Sequence, residues 1–399
     1  MQLTGGYPFS LINHGLLNSY PKLLKNTVTN TVIIGGGISG ALTAYYLINA
    51  GIECIVVDGR TIGLGSTCAS TSLLQYELDI PLHLLKRKIG NEDAERIYQL
   101  CSNSIDTLIQ IMDDVGFIDY KKTGSLFFAV HGSEKKFMQD EFTARKKAGF
   151  DVSFLSADNL KKEYGLKAGY AILSKQGCVA DAYTLTHALL QHCIRKGLQV
   201  FDRTHISTVE FKKSNVLQTA EGYAIKAKNI VNATGYEIVN FLPKDVVNFD
   251  CTYAVVSEQS PEVRPFWKDN VMMWNTDDPY LYLRLTKDNR IIVGGRDERF
   301  SNNFTRQVLI EKKSRQLQKD FHKVLPELPF KKEFEWSGTF GKTKDSLPYI
   351  GPYKKTPNAY YALGFGGNGI TFSAIAAEII RDLLCGQPNY DAKLFSFDR

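Results

Sequence analysis

Apolar residues along the chain change their period several times, and each change marks an element. Thr31–Ile34 is a short β-branched run, and Ile38–Asn49 behind it repeats apolar residues at helical spacing. Glu53–Val57 is a second apolar run ending at Asp58, so the front of the chain predicts the strand–helix–strand unit that opens a doubly wound sheet. Residues 84–115 and 133–148 have the pattern of amphipathic, charge-laced helices, with a strand predicted between them at Gly124–Val130. Ala182–Gly197 predicts a helix stopped by glycine, followed by the strand "LQVFD" and by another that ends at Gly235. From Val239 to about Glu335 the pattern turns to alternation. Runs such as "CTYAVVSEQ", "YLYLRLT" and "RIIVGG" predict antiparallel strands with one solvated face. A turn-rich stretch follows, and Tyr360–Ile380 then returns to strand and helix. The expected class is α/β (α+β), a Rossmann-like part in discontinuous segments interrupted by a second, antiparallel-β part. The Rossmann-like segments are placed at 28–95, 152–237 and 336–399, the second part at 96–151 and 238–335, and 1–27 is read as an N-terminal extension. No repeat of 20–50 residues and no low-complexity segment interrupts this order.

Two of the strand-to-helix junctions are glycine-rich. In "TVIIGGGISG", Gly35, Gly37 and Gly40 stand in GxGxxG register between strand and helix. Gly35 permits the tight turn, Gly37 lets backbone approach a pyrophosphate, and Gly40 lets helix and strand pack closely. The helix start, including Ile38 and Ser39, offers N–H groups and the positive end of a dipole to phosphates. Asp58 ends the next strand, where a carboxylate accepts ribose hydroxyls. These features together predict dinucleotide binding; a lone glycine turn would not. The second junction, "YYALGFGGNGITFS", repeats the grammar near the C-terminus.

Composition narrows the classes without choosing a function. With 399 residues, 44% hydrophobic, the chain can bury a large core. Its net charge of +6, from 48 basic and 42 acidic residues, is spread along the sequence, so clusters such as Lys86–Lys88 and Arg145–Lys147 read as solvated helix faces and no nucleic-acid partner is expected. Seven cysteines show no CxxC and no disulfide spacing, which points to a reducing compartment. Residues 1–30 carry no secretory pattern, and no apolar stretch approaches a membrane span, so a cytoplasmic protein is expected.

After Asp58 comes "GRTIGLGSTCASTSLL", unusually rich in small hydroxyl residues, which suits a segment laid along a cofactor. Here the chain resembles the D-amino-acid-oxidase-like FAD-dependent oxidoreductases, the group of glycine oxidase, sarcosine oxidase and γ-glutamylputrescine oxidase. Four motifs in family order carry the resemblance. They are "VIIGGGISG" with Asp58, "GLGSTCASTSLL", the "ATG" strand end preceded by "RTHIST", and "WSGTFGKTKDSLPYIG" followed by "YYALGFGGNGITFS". The resemblance implies FAD bound without a covalent link. It assigns cofactor contacts to Gly35, Gly37, Ile38, Ser39, Gly40, Asp58, Gly59 and Arg60, and to Gly65, Ser66, Thr67, Thr71, Ser72 and Leu73. Ile206 stands at the backbone contact to adenine, with Ala233, Thr234 and Gly235 at the strand end. Gly364, Phe365, Gly366, Gly367, Asn368, Gly369, Ile370 and Thr371 would meet the flavin ring, where N–H groups and a helix dipole favour the reduced, negatively charged form.

The resemblance further implies oxidation of the C–N bond of a small-molecule amine or amino acid by hydride transfer to the flavin, with oxygen or another acceptor taking the electrons. No side-chain acid or base is obligatory for this chemistry, and no catalytic triad or metal site is expected. The relatives that oxidise small α-amino acids have an Arg between the "WxG" and "DxxPxIG" elements, and it clamps the substrate carboxylate. Here that position is Phe340, with Lys342 two residues on. A glycine-like substrate is therefore not expected; a larger or less acidic amine fits better. A Lys that lies over the flavin in sarcosine-oxidase-type enzymes matches Ile292, which leaves oxidase and dehydrogenase both open. Tyr253, Trp274, Tyr280, Tyr282 and Arg284 are candidate pocket residues, and Tyr282 and Arg284 share strand parity. His187 and His192, five apart, diverge too far for a shared metal, and Thr343–Asp345 suggests a turn cap. The alternatives are a flavoenzyme acting on a modified tRNA base and a non-catalytic flavin-binding protein.

Overall fold

The computed structural model describes residues 2–235, 242 and 246–399, and shows two large sheets and a small one among them. In the eight-stranded sheet, Thr27–Ile34 lies parallel between Cys54–Val57 and Ala224–Gly235. Ala359–Leu363 adds parallel to the far half of Ala224–Gly235, so the two glycine-turn strands flank one common strand. Helices Ile38–Asn49, Ala182–Arg195 and Gly369–Leu384 share one core cluster on a face of this sheet. A second cluster, containing Val32, Ile55, Ile230 and Tyr361, closes the other face. Burial on both faces is why these strands read as continuous apolar runs.

The nine-stranded sheet runs Thr4–Gly6, Lys332–Lys342, Asn248–Ser257, Ile291–Arg299, Tyr282–Leu285, Met272–Asn275, Ser125–Ala129, Tyr170–Ser174, Val152–Ser156. It is antiparallel except where Met272–Asn275 meets Ser125–Ala129. Three features depart from the sequence pattern. The strands Val152–Ser156 and Tyr170–Ser174, placed by pattern with the Rossmann-like part, pair onto Ser125–Ala129 because helix Lys135–Lys147 returns the chain beside it. Lys332–Lys342 runs straight through the expected boundary at 335/336. Asn303–Val324, inside a stretch read as strands, is a 22-residue helix capped by the Asn302 side chain accepting from the Thr305 N–H at 2.8 Å. Its buried stripe of Ile310, Leu317 and Phe321 is diluted by lysines and arginines, which hid the helical period. The expected boundary at 237/238 lies outside the described residues.

The N-terminal extension is structural. Thr4–Gly6 pairs with Trp336–Gly338, and Arg306 donates from Nη1 to the Gln2 carbonyl (2.8 Å) and from Nη2 to that of Thr4 (2.6 Å). Further on, the Tyr20 hydroxyl meets His187 Nδ1 at 3.0 Å, so the segment straps both sheets together. No helix among the described residues is long and apolar enough to cross a membrane.

Candidate active site

A cavity of about 780 Å³ runs between the two large sheets. At one end the first glycine turn presses on the strand end at Ala233. Gly35 has φ of +110°, and a side chain there would meet the Ala233 carbonyl oxygen at 2.3 Å. Gly40 does not line the cavity. A Cβ on it would stand 1.8 Å from the Gly35 oxygen, so its hydrogen is what lets helix and turn touch. The Ile38 N–H donates to Thr67 Oγ1 at 3.1 Å, and the N-cap residue Gly37 brings no side chain of its own, which leaves later first-turn N–H groups for an anion. Asp58 accepts from the Gly36 N–H (Oδ2, 2.6 Å) and the Arg60 N–H (Oδ1, 2.7 Å). A carboxylate has about four acceptor sites, so these oxygens can also take ribose hydroxyls. His205, Ile206, Ser207 and Thr208 form the wall beyond Gly59 and Arg60.

The hydroxyl-rich segment forms the middle of the wall. Gly65, Ser66, Thr67, Thr71, Ser72 and Leu73 all line the cavity, with Thr234 and Gly235 across from them at the strand end. Ser66 Oγ donates to the Thr339 carbonyl at 3.0 Å. Arg284 is not a pocket residue. It shares a face with Tyr282, as parity predicts, but the segment covers it: its Nε donates to the Thr71 carbonyl at 2.5 Å. Burial pushes its guanidinium down to about 10. Its role is to hold the segment in place.

The second glycine turn closes the far end. Phe365, Gly366, Gly367, Asn368, Gly369, Ile370 and Thr371 line the cavity; Gly364, at φ +75° against Thr343, shapes the turn behind them. The Gly366 N–H donates to the Gly341 carbonyl and the Gly367 N–H to Asp79 Oδ2, at 3.0 and 3.1 Å. The Asn368 amide donates to the carbonyls of Gln75 and Glu77, and no side chain caps the helix that starts at Gly369. The N–H groups able to face a ligand are therefore those of the helix's first turn, Gly369–Thr371, rather than those of the glycine pair.

Opposite this turn stand Asp79, Thr252, Trp274, Tyr280, Tyr282, Asp297 and Phe340. Tyr280 donates to Asp79 Oδ1 at 3.0 Å, and Tyr282 meets Thr252 Oγ1 at 3.0 Å. Burial raises both phenols, so they stay protonated. Trp274 stacks on Phe127 at 4.0 Å and meets Tyr280 edge-on at 6.0 Å. Tyr253 points the other way, into the cluster under helix Asn303–Val324, with its hydroxyl on Glu298 at 3.1 Å. Lys342 also lies off the cavity, 3.2 Å from Asp250 and stacked over Phe340. Burial works against its charge, but Asp297, Asp79 and Asp250 outweigh it and hold the ammonium. Ile292 packs with Phe9, Ala69 and Trp336 and does not reach the cavity. Asp79 and Asp297 escaped the sequence reading. Asp79 sits in "ELDIP" without a pattern, and Asp297 follows the glycine pair Gly294–Gly295 inside the strand Ile291–Arg299, where alternation gives no sign of its direction.

The profile of a known family, FAD dependent oxidoreductase (DAO), matches residues 30–383. The chain belongs to that family. Its cofactor is FAD, and it is an oxidoreductase. Gamma-glutamylputrescine oxidoreductase of Escherichia coli (strain K12) is 21% identical over 378 residues, which are 92% of this chain and 86% of that one. Glycine oxidase of Bacillus licheniformis is 24% identical over 375 residues, 90% of this chain and 94% of that one. L-proline dehydrogenase from P. horikoshii has the same fold, with a TM-score of 0.78 at 22% identity, covering 94% of this chain and 97% of the other. The residues present suit the cofactor: a glycine cradle, helix starts at both ends that their N-cap residues leave uncapped, and a carboxylate ordered by backbone N–H groups.

Proposed function

We propose that this oxidoreductase oxidises the C–N bond of an amine that carries no α-carboxylate. One observation carries the reading: Phe340 lines the cavity where the resemblance puts a carboxylate-clamping Arg, and the neighbouring Lys342 is turned away onto Asp250. Among the described residues no Arg or Lys lines the cavity beside the second glycine turn, so a substrate carboxylate would be buried there without a partner.

FAD, when bound, supplies the two-electron acceptor. Gly35–Ser39 and Thr67 would hold its phosphates, Asp58 its ribose and the Ile206–Thr208 edge its adenine. The first turn of Gly369–Leu384 would set N–H groups and a helix dipole against the ring, where added negative charge is stabilised. Phe340, Tyr280, Tyr282 and Trp274 exclude water from the substrate and orient it. Asp79 fixes both Tyr280 and Gly367, tying the substrate wall to the flavin wall.

The test is anaerobic bleaching of the yellow holoenzyme against alkylamines, N-substituted amines and amino acids. Reduction by amines with negligible reduction by glycine is expected. Glycine reducing the flavin as fast as the best amine would overturn the reading.

A further inference from the structure

The strand Ile291–Arg299 does not pair evenly with Asn248–Ser257. Glu298 faces Cys251 and Gly295 faces Tyr253, so Arg296 and Asp297 together oppose the single residue Thr252. This is a β-bulge, a device that re-aims side chains and recurs beside active sites. Two features hold it. Gly295 has φ of +137°, and a side chain there would meet the Tyr280 carbonyl at 2.5 Å. Arg296, itself at φ +57°, donates from Nε and Nη2 to the two oxygens of Asp320 at 2.6 and 2.7 Å. With Arg296 pinned outward, Asp297 is turned into the cavity.

The carboxylate that arrives there is incompletely satisfied. Asp297 Oδ1 is buried and has no hydrogen-bond partner. Such an atom is costly unless a ligand completes it. Its surroundings are aromatic: Tyr280 and Tyr282 have ring centroids 5.8 Å apart, and Tyr282 lies flat across Gly294, where a Cβ would meet the ring at 2.2 Å. Asp79 adds a second carboxylate to the same wall, and Lys342 bonds Asp250 at 3.2 Å and reaches Asp297 and Asp79 only as a charge. A buried carboxylate among aromatic faces is the chemistry that recognises an organic ammonium ion.

We propose that Asp297 is the specificity-determining residue of this site, binding the ammonium group of an alkylammonium substrate against the faces of Tyr280, Tyr282 and Trp274 and, where that nitrogen is the one oxidised, taking its proton so that the neutral amine gives up hydride to FAD and leaves as the iminium. This rests on the amine reading above and deepens it. An Arg clamp selects an anionic group; here the bulge delivers the opposite charge.

Burial pushes the Asp297 carboxyl up to about 7, a rise that Asp79 and Asp250 reinforce and that the Thr252 hydroxyl and Lys342 oppose. Those groups and Tyr282 face it from the neighbouring elements. Cation binding should therefore strengthen as pH rises through neutrality and then level off.

The test uses choline and its uncharged isostere 3,3-dimethylbutan-1-ol, titrated into the holoenzyme and read by the flavin difference spectrum. Wild type should prefer the cation by about 10-fold or more, the scale of a desolvated charge pair. Asp297→Asn should abolish that preference while keeping full FAD absorbance, and Asp297→Glu should retain part of it. Equal binding of the two probes by wild type, or an undiminished preference in Asp297→Asn, overturns the proposal. Should the variant fail to fold, the wild-type pH series decides: a preference that does not grow between pH 6 and pH 8 counts against it. Failure of every amine to bleach the flavin, with an Asp297-dependent preference intact, would sink the oxidation reading and leave this inference standing.

Discussion

The two glycine turns look alike in sequence but are held by different things. At the first, backbone blocks a side chain at Gly35 (the Ala233 oxygen) and Gly40 (the Gly35 oxygen), while side chains block it at Gly36 (Ile62, 2.1 Å) and Gly37 (Thr67, 2.8 Å). At the second, every such neighbour is a side chain. A Cβ on Gly366 would meet Asp79 at 2.8 Å, one on Gly367 would meet Tyr280 at 2.6 Å and Asp79 at 2.8 Å, and one on Gly364 would meet Thr343 at 2.5 Å. The first turn is thus held in part by backbone that has nowhere to move. At Gly366 and Gly367 the second is blocked by Asp79 and Tyr280, which line the same cavity, so this turn and those side chains are one assembly. Changes at the first turn should remove the cofactor; changes at the second should leave it bound and alter what it reacts with.

Gly40→Ala should show the largest effect, because backbone has nowhere to go. We expect colourless protein and a loss of about 1–3 kcal/mol or more of stability, read by absorbance and thermal midpoint. Gly367→Ala should keep its FAD, since the Asp79 and Tyr280 side chains can shift. Loss of FAD from both variants alike would break the comparison. Asp79→Ala leaves the Tyr280 hydroxyl and the Gly367 N–H without their shared acceptor. Flavin content should hold while the rate of anaerobic reduction falls roughly 10- to 100-fold, the scale of losing one or two oriented hydrogen bonds. Phe340→Arg should introduce affinity for carboxylate ligands such as acetate, seen in the difference spectrum, and weaken amine binding by about 10-fold through repulsion.

Smaller effects concern pH. Asp297 has a folded value near 7 against an ordinary 3.8, so between those values the folded state holds a proton the unfolded chain has lost. Stability contributed by this group falls as pH rises through that window. Asp297→Asn should raise the thermal midpoint at pH 8 and flatten its pH dependence, the mark of a carboxylate kept for binding at a cost to stability. Burial pushes His187 the other way, down to about 4 from an ordinary 6.5. Between those values the unfolded chain binds the extra proton, so stability is lost as pH falls. Because Tyr20 meets this ring, the N-terminal strap should become protease-sensitive near pH 4.5, an effect absent in His187→Gln.

The first turn, Asp58 and the hydroxyl-rich segment are legible as residue types at a set spacing, although their contacts reach far along the chain, Gly35 to Ala233 and Ser66 to Thr339. Gly40 and Gly364, read as contacts, do not line the cavity: one packs helix on turn and the other lies against Thr343, since sequence spacing gives register but not reach. Tyr253 and Arg284 were strand residues with the right composition, yet a strand has two faces and a covering loop can intercept the inner one. Asp297 was hidden for the opposite reason. Strict alternation cannot foresee a bulge, and the extra residue that places Asp297 in the cavity shifts the parity on which such readings depend. The helix Asn303–Val324 shows the same limit on a larger scale, its apolar stripe being too thin to outweigh its charges.

On the proposed function, the end of the cavity facing the second glycine turn accepts an ammonium and rejects a carboxylate. The most direct test is the ratio of anaerobic flavin-reduction rates for amines and their α-carboxylated counterparts, taken pair by pair on the same holoenzyme. The account predicts that the amine is faster in every pair that reacts, and that Phe340→Arg narrows the ratio. A faster carboxylated partner in wild type would contradict it.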